Sequence, residues 1–125
     1  MRFRSAVPTF LVDDVGATAG WYARELGFSC ETVPAAPPFA YASLQRDGAE
    51  IMLLRQEGYR KPEIARPTGG WDAYLRLEGV RELWERVRER PFVAKPLTRQ
   101  GYGDTEFEVR DPNGYVLVFG ELLVP

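Results

Sequence analysis

The chain has 125 residues, of which 45% are hydrophobic, and this is enough for one globular domain with its own core. Its formal net charge is −2 and its pI is about 5.2, which excludes a protein that holds nucleic acid through a basic face. No apolar run approaches the roughly 18 residues of a membrane span, so we expect no membrane partner. No signal-peptide pattern opens the chain and Cys30 is its single cysteine, so we expect a cytoplasmic protein.

The first half of the chain predicts a strand, a helix and then three more strands. Pro8 lies inside the first predicted strand, 6–12, where it removes a ladder donor and indicates that the strand is at an edge or is interrupted near that point. Asp14 is the predicted N-cap of the helix, and Gly27 is its predicted C-terminal glycine. A rigid proline-rich connection and a turn at Asp47-Gly48 then separate the predicted strands 28–33, 39–44 and 49–54.

The second half repeats this order at a spacing of about 65 residues. The run FLVDDV at 10–15 aligns with LRLEGV at 75–80, and the turn at Gly48 corresponds to one at Gly114. The predicted elements of this half are a strand over 71–77, an amphipathic helix from Val80, and strands over 92–97, 104–109 and 115–119. We therefore predict an α+β fold, a single domain whose two βαβββ modules form a curved mixed sheet. The modules cover about 1–57 and 70–125 and are joined by a linker over 58–69.

The opening segment AVPTFLVDDVGATAGWYARELGF and the closing segment RDPNGYVLVFGE resemble those of the vicinal oxygen chelate superfamily. That superfamily includes glyoxalase I, extradiol dioxygenases, fosfomycin-resistance enzymes and bleomycin-resistance proteins. The segments GGWDAYLRLEGVRELWERVR and YGDTEFEVRDPNGY are most similar to the bleomycin-resistance branch. The resemblance covers essentially the whole chain. It implies the glyoxalase/bleomycin resistance fold and a homodimer in which both chains build each ligand groove.

The same resemblance implies where the enzymes of the superfamily would hold a divalent metal. The four ligand positions fall at Val7, Met52 (or Leu53 after a one-residue shift), Asp72 and Val118. Only Asp72 has a ligating side chain, and the chain contains no histidine, whereas catalytic divalent sites need about three oxygen or nitrogen ligands. We therefore expect no metal, no other cofactor and no catalytic residues, which disfavours chemistry that uses a metal as Lewis acid or redox centre.

A groove for a small molecule on the concave face of the sheet is the expected site. A two-residue turn at Asp47-Gly48 predicts Ser43 opposite Met52 and Tyr41 opposite Leu54, and similar reasoning on the last hairpin predicts Phe107 opposite Val118 and Val109 opposite Val116. Strand alternation adds further residues to this face, and the family resemblance adds a tryptophan. The predicted ligand-binding residues are Phe39, Tyr41, Ser43, Met52, Trp71, Asp72, Tyr74, Phe107 and Val118.

Several of these residues have a second interpretation. Phe39 and Tyr41 could instead be dimer contacts or ordinary core, and Trp71 could pack within the protein rather than stack on a ligand. Asp72 could be a solvated carboxylate at a strand end. The acids at 106 and 108 first indicate a solvated strand face, but they would favour a cationic ligand if they bordered the groove.

The sequence is compatible with two classes of function. The first is a metal-independent protein that binds and sequesters a bleomycin-type antibiotic or another cationic aromatic molecule. The alternative is a lyase or dioxygenase-like enzyme of the same superfamily that acts on a small metabolite. We also expect a homodimer, because apolar side chains on one surface, at Met52, Leu54, Val116 and Val118, exceed what a small monomer normally exposes.

Overall fold

The computed structural model describes residues 1–63 and 70–124, which form two compact units, Met1–Pro62 and Glu63–Pro125. Each unit contains a strand, a helix and three further strands, so the predicted α+β class and the duplicated βαβββ order are confirmed. The predicted linker over 58–69 falls partly on 64–69, which lie outside the described residues. Within the described ranges no helix is long and apolar enough to cross a membrane.

The first unit is one four-stranded sheet covered on one face by a helix. Its strands lie in the order β1-β4-β3-β2; β1 runs parallel to β4, and the other neighbours are antiparallel. The predicted edge position of the first strand is thus confirmed, although that strand starts only after Pro8. The elements are β1 (Thr9–Val12), α1 (Val15–Leu26), β2 (Ser29–Val33), β3 (Tyr41–Arg46) and β4 (Ala49–Arg55).

Helix α1 has the predicted ends and defines which side of this sheet is core. The Asp14 carboxylate accepts a hydrogen bond from the Ala17 amide at 2.9 Å, and Gly27 adopts a left-handed conformation with φ of 70°. The Cys30 thiol donates to the Ala19 carbonyl at 3.4 Å, so the face of β2 that carries Cys30 is the one beneath the helix. The opposite face of the sheet has no helix on it within this unit.

The second unit repeats the arrangement with strands in the order β5-β8-β7-β6. Gly79 is the N-cap of its helix; its φ is 96°, and it has no side chain to cap the helix. Glu121 supplies the cap instead: its Oε1 accepts hydrogen bonds from the Gly79 and Val80 amides, both at 3.0 Å. The elements are β5 (Ala73–Arg76), α2 (Val80–Val87), β6 (Val93–Arg99), β7 (Asp104–Arg110) and β8 (Val116–Leu122).

The two final hairpins differ in loop length, and this decides which side chains share a face. In the first unit Arg46 pairs with Ala49 across the two-residue turn, so the predicted pairs of Ser43 with Met52 and of Tyr41 with Leu54 are confirmed. In the second unit Asp111 and Tyr115 close a three-residue loop, since the Asp111 amide donates to the Tyr115 carbonyl at 3.0 Å.

That extra loop residue shifts the register of the last hairpin by one position. Phe107 lies opposite Phe119 and Val109 opposite Leu117, so the predicted pairing of Phe107 with Val118 and of Val109 with Val116 is wrong. Phe107 is 1% exposed, stacks on Phe119 with ring centroids 5.4 Å apart, and meets Trp84 of α2 at 5.3 Å. Phe107 is therefore a core residue beneath the helix, and the prediction that it lines a groove is wrong.

Candidate functional site

Three acidic residues occupy the face of β7 that points away from α2. Asp104, Glu106 and Glu108 alternate with the core side chains of the strand and are 5%, 8% and 8% exposed, respectively. We call this surface the acidic face. The prediction that the glutamates form a solvated strand face is wrong, because carboxylates this buried need hydrogen-bond donors or cations from neighbouring elements.

Strand β5 supplies much of that compensation. The Tyr74 hydroxyl lies 2.7 Å from Asp104 Oδ2 and 3.1 Å from Glu106 Oε1, and Arg76 Nη1 lies 3.0 Å from Asp104 Oδ2. The hydrogen bond from Tyr74 and the ion pair with Arg76 lower the pKa of Asp104 below its usual value. Burial, followed by its bonds to the two carboxylates, raises the pKa of Tyr74. Tyr74 therefore stays protonated and acts as a donor.

A glycine on β8 makes room for Tyr74. In the parallel register Arg76 pairs with Gly120, and Tyr74 pairs with Val118 two residues earlier. A Cβ atom on Gly120 would lie only 2.8 Å from Cζ of the tyrosine ring, closer than real Cβ contacts allow. Gly120 is therefore required for the tyrosine hydroxyl to reach the acidic face.

Aromatic and basic side chains complete the surroundings of the acidic face. Tyr102 also donates to Glu106 Oε1, and its pKa is raised to about 12 by loss of solvent and by that bond. Lys95 Nζ lies 3.9 Å from Glu108 Oε1. Trp71 meets the Tyr74 ring edge-on with centroids 5.1 Å apart and remains 44% exposed. The guanidinium of Arg76 already lies 5.1 Å from the centroid of the Tyr74 ring, so the accessible aromatic surface of this pair is the indole of Trp71.

Two other predicted site residues of this unit have structural roles. The Asp72 Oδ2 atom accepts a hydrogen bond from the Val116 amide at 2.8 Å, which ties the start of β8 to the segment preceding β5. Val118 and Val116 are 2% and 6% exposed. The expectation that they form an exposed apolar surface is wrong, because Tyr74 of β5 and Glu108 of β7 flank Val118 on both sides.

The helix-free face of the first sheet carries three more of the predicted residues. Tyr41 and Met52 are half-buried there, and Leu54 is 41% exposed. Ser43 is buried, and its hydroxyl donates to Glu50 Oε2 at 2.7 Å while accepting from Gln45 Nε2 at 3.1 Å. The prediction that these side chains share one face is confirmed by the strand register.

Phe39 does not share that face. Its ring lies 3.2 Å from where a Cβ on Gly16 would be, so it packs against the first turn of α1. Strand alternation does not reach Phe39, because β3 begins only at Tyr41. Phe39 instead borders a cleft of about 430 Å³ at the start of the helix, together with Asp14, Pro38 and Arg55.

The side chains present do not fit a catalytic metal at the positions that the family resemblance indicates. Val7 and Val118 offer no ligand atom, Met52 offers only a soft thioether, and the Asp72 carboxylate is bonded to a backbone amide. Among the residues that the structure describes, no group of three or more His, Cys, Asp or Glu side chains is placed to hold a metal ion.

Sequence reasoning missed the contributions of Arg76, Tyr102 and Asp104 to the site. The alternation of acids in DTEFEV was visible in the sequence, but it predicted an exposed face as readily as a buried one. The basic and phenolic partners lie on different strands or loops, and only the sheet order brings them together.

Solved structures with the same fold include a glyoxalase-related enzyme, a bleomycin resistance determinant and a bleomycin-binding protein. A glyoxalase-related enzyme from Clostridium phytofermentans is 18% identical with a TM-score of 0.76 and covers 98% of both chains. A bleomycin resistance determinant encoded on the transposon Tn5 is 22% identical with a TM-score of 0.72, covering 98% of this chain and 100% of that one. The bleomycin-binding protein of Streptomyces verticillus, solved with copper(II)-bleomycin, is 21% identical with a TM-score of 0.66, and the match covers 95% of this chain and 96% of that one.

These similarities concern the fold, since all three identities are below 25%. No curated protein sequence matches the chain. Residues 5–119 match the family described as the Glyoxalase/Bleomycin resistance protein/Dioxygenase superfamily. The chain belongs to the Glyoxalase/Bleomycin resistance protein/Dioxygenase superfamily.

Proposed function

We propose that this protein binds and sequesters a small cationic aromatic molecule, with bleomycin-type antibiotics as the first candidates, and that it does so without a metal of its own. The observation that carries the proposal is the half-exposed Trp71–Tyr74 pair beside the buried acids of β7. An aromatic pair contributes about 0.5–1.5 kcal/mol beyond its buried area, and a buried carboxylate attracts a cation more strongly than one in water.

Proteins of the same fold support this choice of ligand. The Streptomyces verticillus protein was solved with copper(II)-bleomycin, and the Tn5 protein is a bleomycin resistance determinant.

An enzyme is the second candidate, and the fold shared with a glyoxalase-related enzyme favours it. The side chains at the expected metal positions argue against an enzyme, because three of the four are apolar. If the chain is an enzyme, it therefore needs acid–base groups that work without a metal. The hydroxyl of Tyr74 is a poor candidate for such a group, because it is already hydrogen-bonded to the carboxylates of Asp104 and Glu106.

Titration with bleomycin tests the proposal directly. We expect quenching of tryptophan fluorescence and an increase in melting temperature at submillimolar drug, both unchanged after dialysis against a chelator. Elemental analysis of protein purified without chelator should show well under one transition metal per chain. Binding that disappears with the chelator, or a stoichiometric metal that survives dialysis, would favour the enzyme instead.

A homodimer is part of the same proposal. In the first unit Val33 is 56% and Leu54 41% exposed, and both flank Tyr41 in the strand register, so we expect a second chain to cover this apolar face. Sedimentation at micromolar concentration should give a species of about twice the 14.2 kDa chain mass. A single species at the chain mass across that concentration range would rule out the dimer.

A further inference from the structure

The loop that joins β7 to β8 contains the chain's only asparagine, Asn113, and a glycine follows it directly. The loop needs glycine at 114, because its φ of 90° lies in the left-handed region that side chains rarely adopt. The same missing side chain leaves the Gly114 nitrogen without the steric shield that a larger residue would give it. An asparagine that is followed by such a nitrogen is chemically labile.

The reaction open to this pair of residues is deamidation. The Gly114 nitrogen loses its proton to hydroxide and forms a bond to Cγ of Asn113, while the bond from Cγ to Nδ2 breaks and ammonia leaves with a proton from water. Water then adds to one of the two carbonyl carbons of the resulting succinimide and opens the ring. The product is aspartate or isoaspartate, which carries a negative charge that asparagine lacks, and no oxidant or cofactor takes part.

Hydrogen bonds hold the folded loop in a conformation that opposes this ring closure. The Gly114 amide donates to the Asp111 carbonyl at 3.0 Å, so the nitrogen that must attack Asn113 is engaged elsewhere. The Asp111 carboxylate accepts from the Asn113 amide at 2.8 Å and from the Tyr115 amide at 3.0 Å. Asp111 is 5% exposed, so one buried residue restrains the backbone on both sides of the asparagine.

We propose that Asn113 is a deamidation site and that the loop closed by Asp111 sets the rate of the reaction. The Gly114 nitrogen must leave the Asp111 carbonyl before it can approach Cγ of Asn113, so the reaction proceeds from the open loop. Where opening and closing are fast, a reaction of the open form follows the population of that form. Asn113 is already half-buried rather than buried, so local opening exposes it to hydroxide without global unfolding. This inference is independent of the proposed function.

Mass spectrometry of the full chain tests the inference. Tryptic cleavage after Arg110 releases the peptide 111–125, in which Asn113 carries the only side-chain amide, so a mass increase of about 1 Da reports this residue alone. During incubation at mildly alkaline pH, we expect the folded chain to be modified at least about tenfold more slowly than the chain in guanidinium chloride. The rate in the folded chain should rise with pH, because the attacking nitrogen must lose its proton.

Two variants open the loop by different routes. Asp111→Ala removes the acceptor of two backbone amides, and we expect modification about tenfold faster than in the parent chain. Pro112→Gly alters an exposed residue and releases its fixed φ, so the variant should fold and should be modified about threefold faster. Urea unfolding measures the stability of both variants.

Asp14→Ala is the matched control, because it also removes a carboxylate that accepts a backbone hydrogen bond, from Ala17 at 2.9 Å, but in the first unit. Asn113 in this variant should be modified at the parent rate. Absence of the mass increase in guanidinium chloride, or equal rates in the folded and unfolded chains, would overturn the inference. Parent rates in both loop variants would also overturn it. Equal acceleration in Asp14→Ala and the loop variants would assign the reaction to global unfolding and refute the role of the loop.

Discussion

Replacing Phe107 by alanine should lower the free energy of unfolding by about 3–5 kcal/mol, the usual cost of removing a buried phenylalanine. The ring is 1% exposed and stacks between Phe119 and Trp84, with centroid distances of 5.4 and 5.3 Å. Its removal leaves a cavity beneath α2, between the rings of Phe119 and Trp84. We expect no direct effect on ligand affinity for the molecules that remain folded.

Urea unfolding of Phe107→Ala measures this loss, and Phe3→Ala provides the matched control. Phe3 is 91% exposed, so the same chemical change there should alter the free energy of unfolding by no more than about 0.5 kcal/mol. A small loss of stability in Phe107→Ala, combined with weakened ligand binding, would contradict the register of the last hairpin and return Phe107 to a groove.

Replacing Trp71 by alanine should weaken bleomycin binding about tenfold or more, equivalent to about 1.4 kcal/mol. The indole is 44% exposed and contacts Tyr74 edge-on, so it is available to a ligand and contributes little to the core. The free energy of unfolding without ligand should change little. Both effects follow from a side chain that lies outside the core and leaves 44% of its surface open to solvent.

Trp84→Ala is the comparison for this variant, measured by the same drug titration and the same urea unfolding. Trp84 lies on α2 and packs against Phe107 at 5.3 Å, so its loss should mainly lower stability and leave the drug affinity unchanged. If Trp71→Ala binds bleomycin as tightly as the parent protein, the indole is a packing residue and the proposed site is misplaced.

Features that depend on local sequence were predictable. The ends of α1 follow from Asp14 and Gly27, whose conformations and hydrogen bonds involve only residues nearby in the chain. The register of the first hairpin follows from the two-residue turn at Asp47-Gly48, which sets Ser43 opposite Met52. The duplicated order of elements follows from hydrophobic periodicity, which repeats at a constant spacing.

Loop closure in the second hairpin was decided by hydrogen bonds from backbone amides to a side chain, which the types of the turn residues alone do not indicate. The Asp111 carboxylate accepts hydrogen bonds from the Asn113 and Tyr115 amides, which stabilise a three-residue loop where the residues Pro112, Asn113 and Gly114 also suit a shorter turn. One residue more or less in a loop exchanges the two faces of the following strand. For this reason the sequence indicated the alternation of the strand over 104–109 but placed Phe107 on the groove face instead of beneath α2.

The sequence by itself determined the family, the duplicated βαβββ order and the lack of ligating side chains at three of the four metal positions, because each depends on residue identity and spacing. Only the tertiary structure decided that Glu106 is buried beside Tyr74 and Tyr102. A carboxylate in an alternating strand is equally compatible with water and with a polar interior. Whether the carboxylate meets water or a polar interior depends on strands that are distant in the chain. Here Gly120 on β8 leaves the space through which Tyr74 of β5 reaches Glu106.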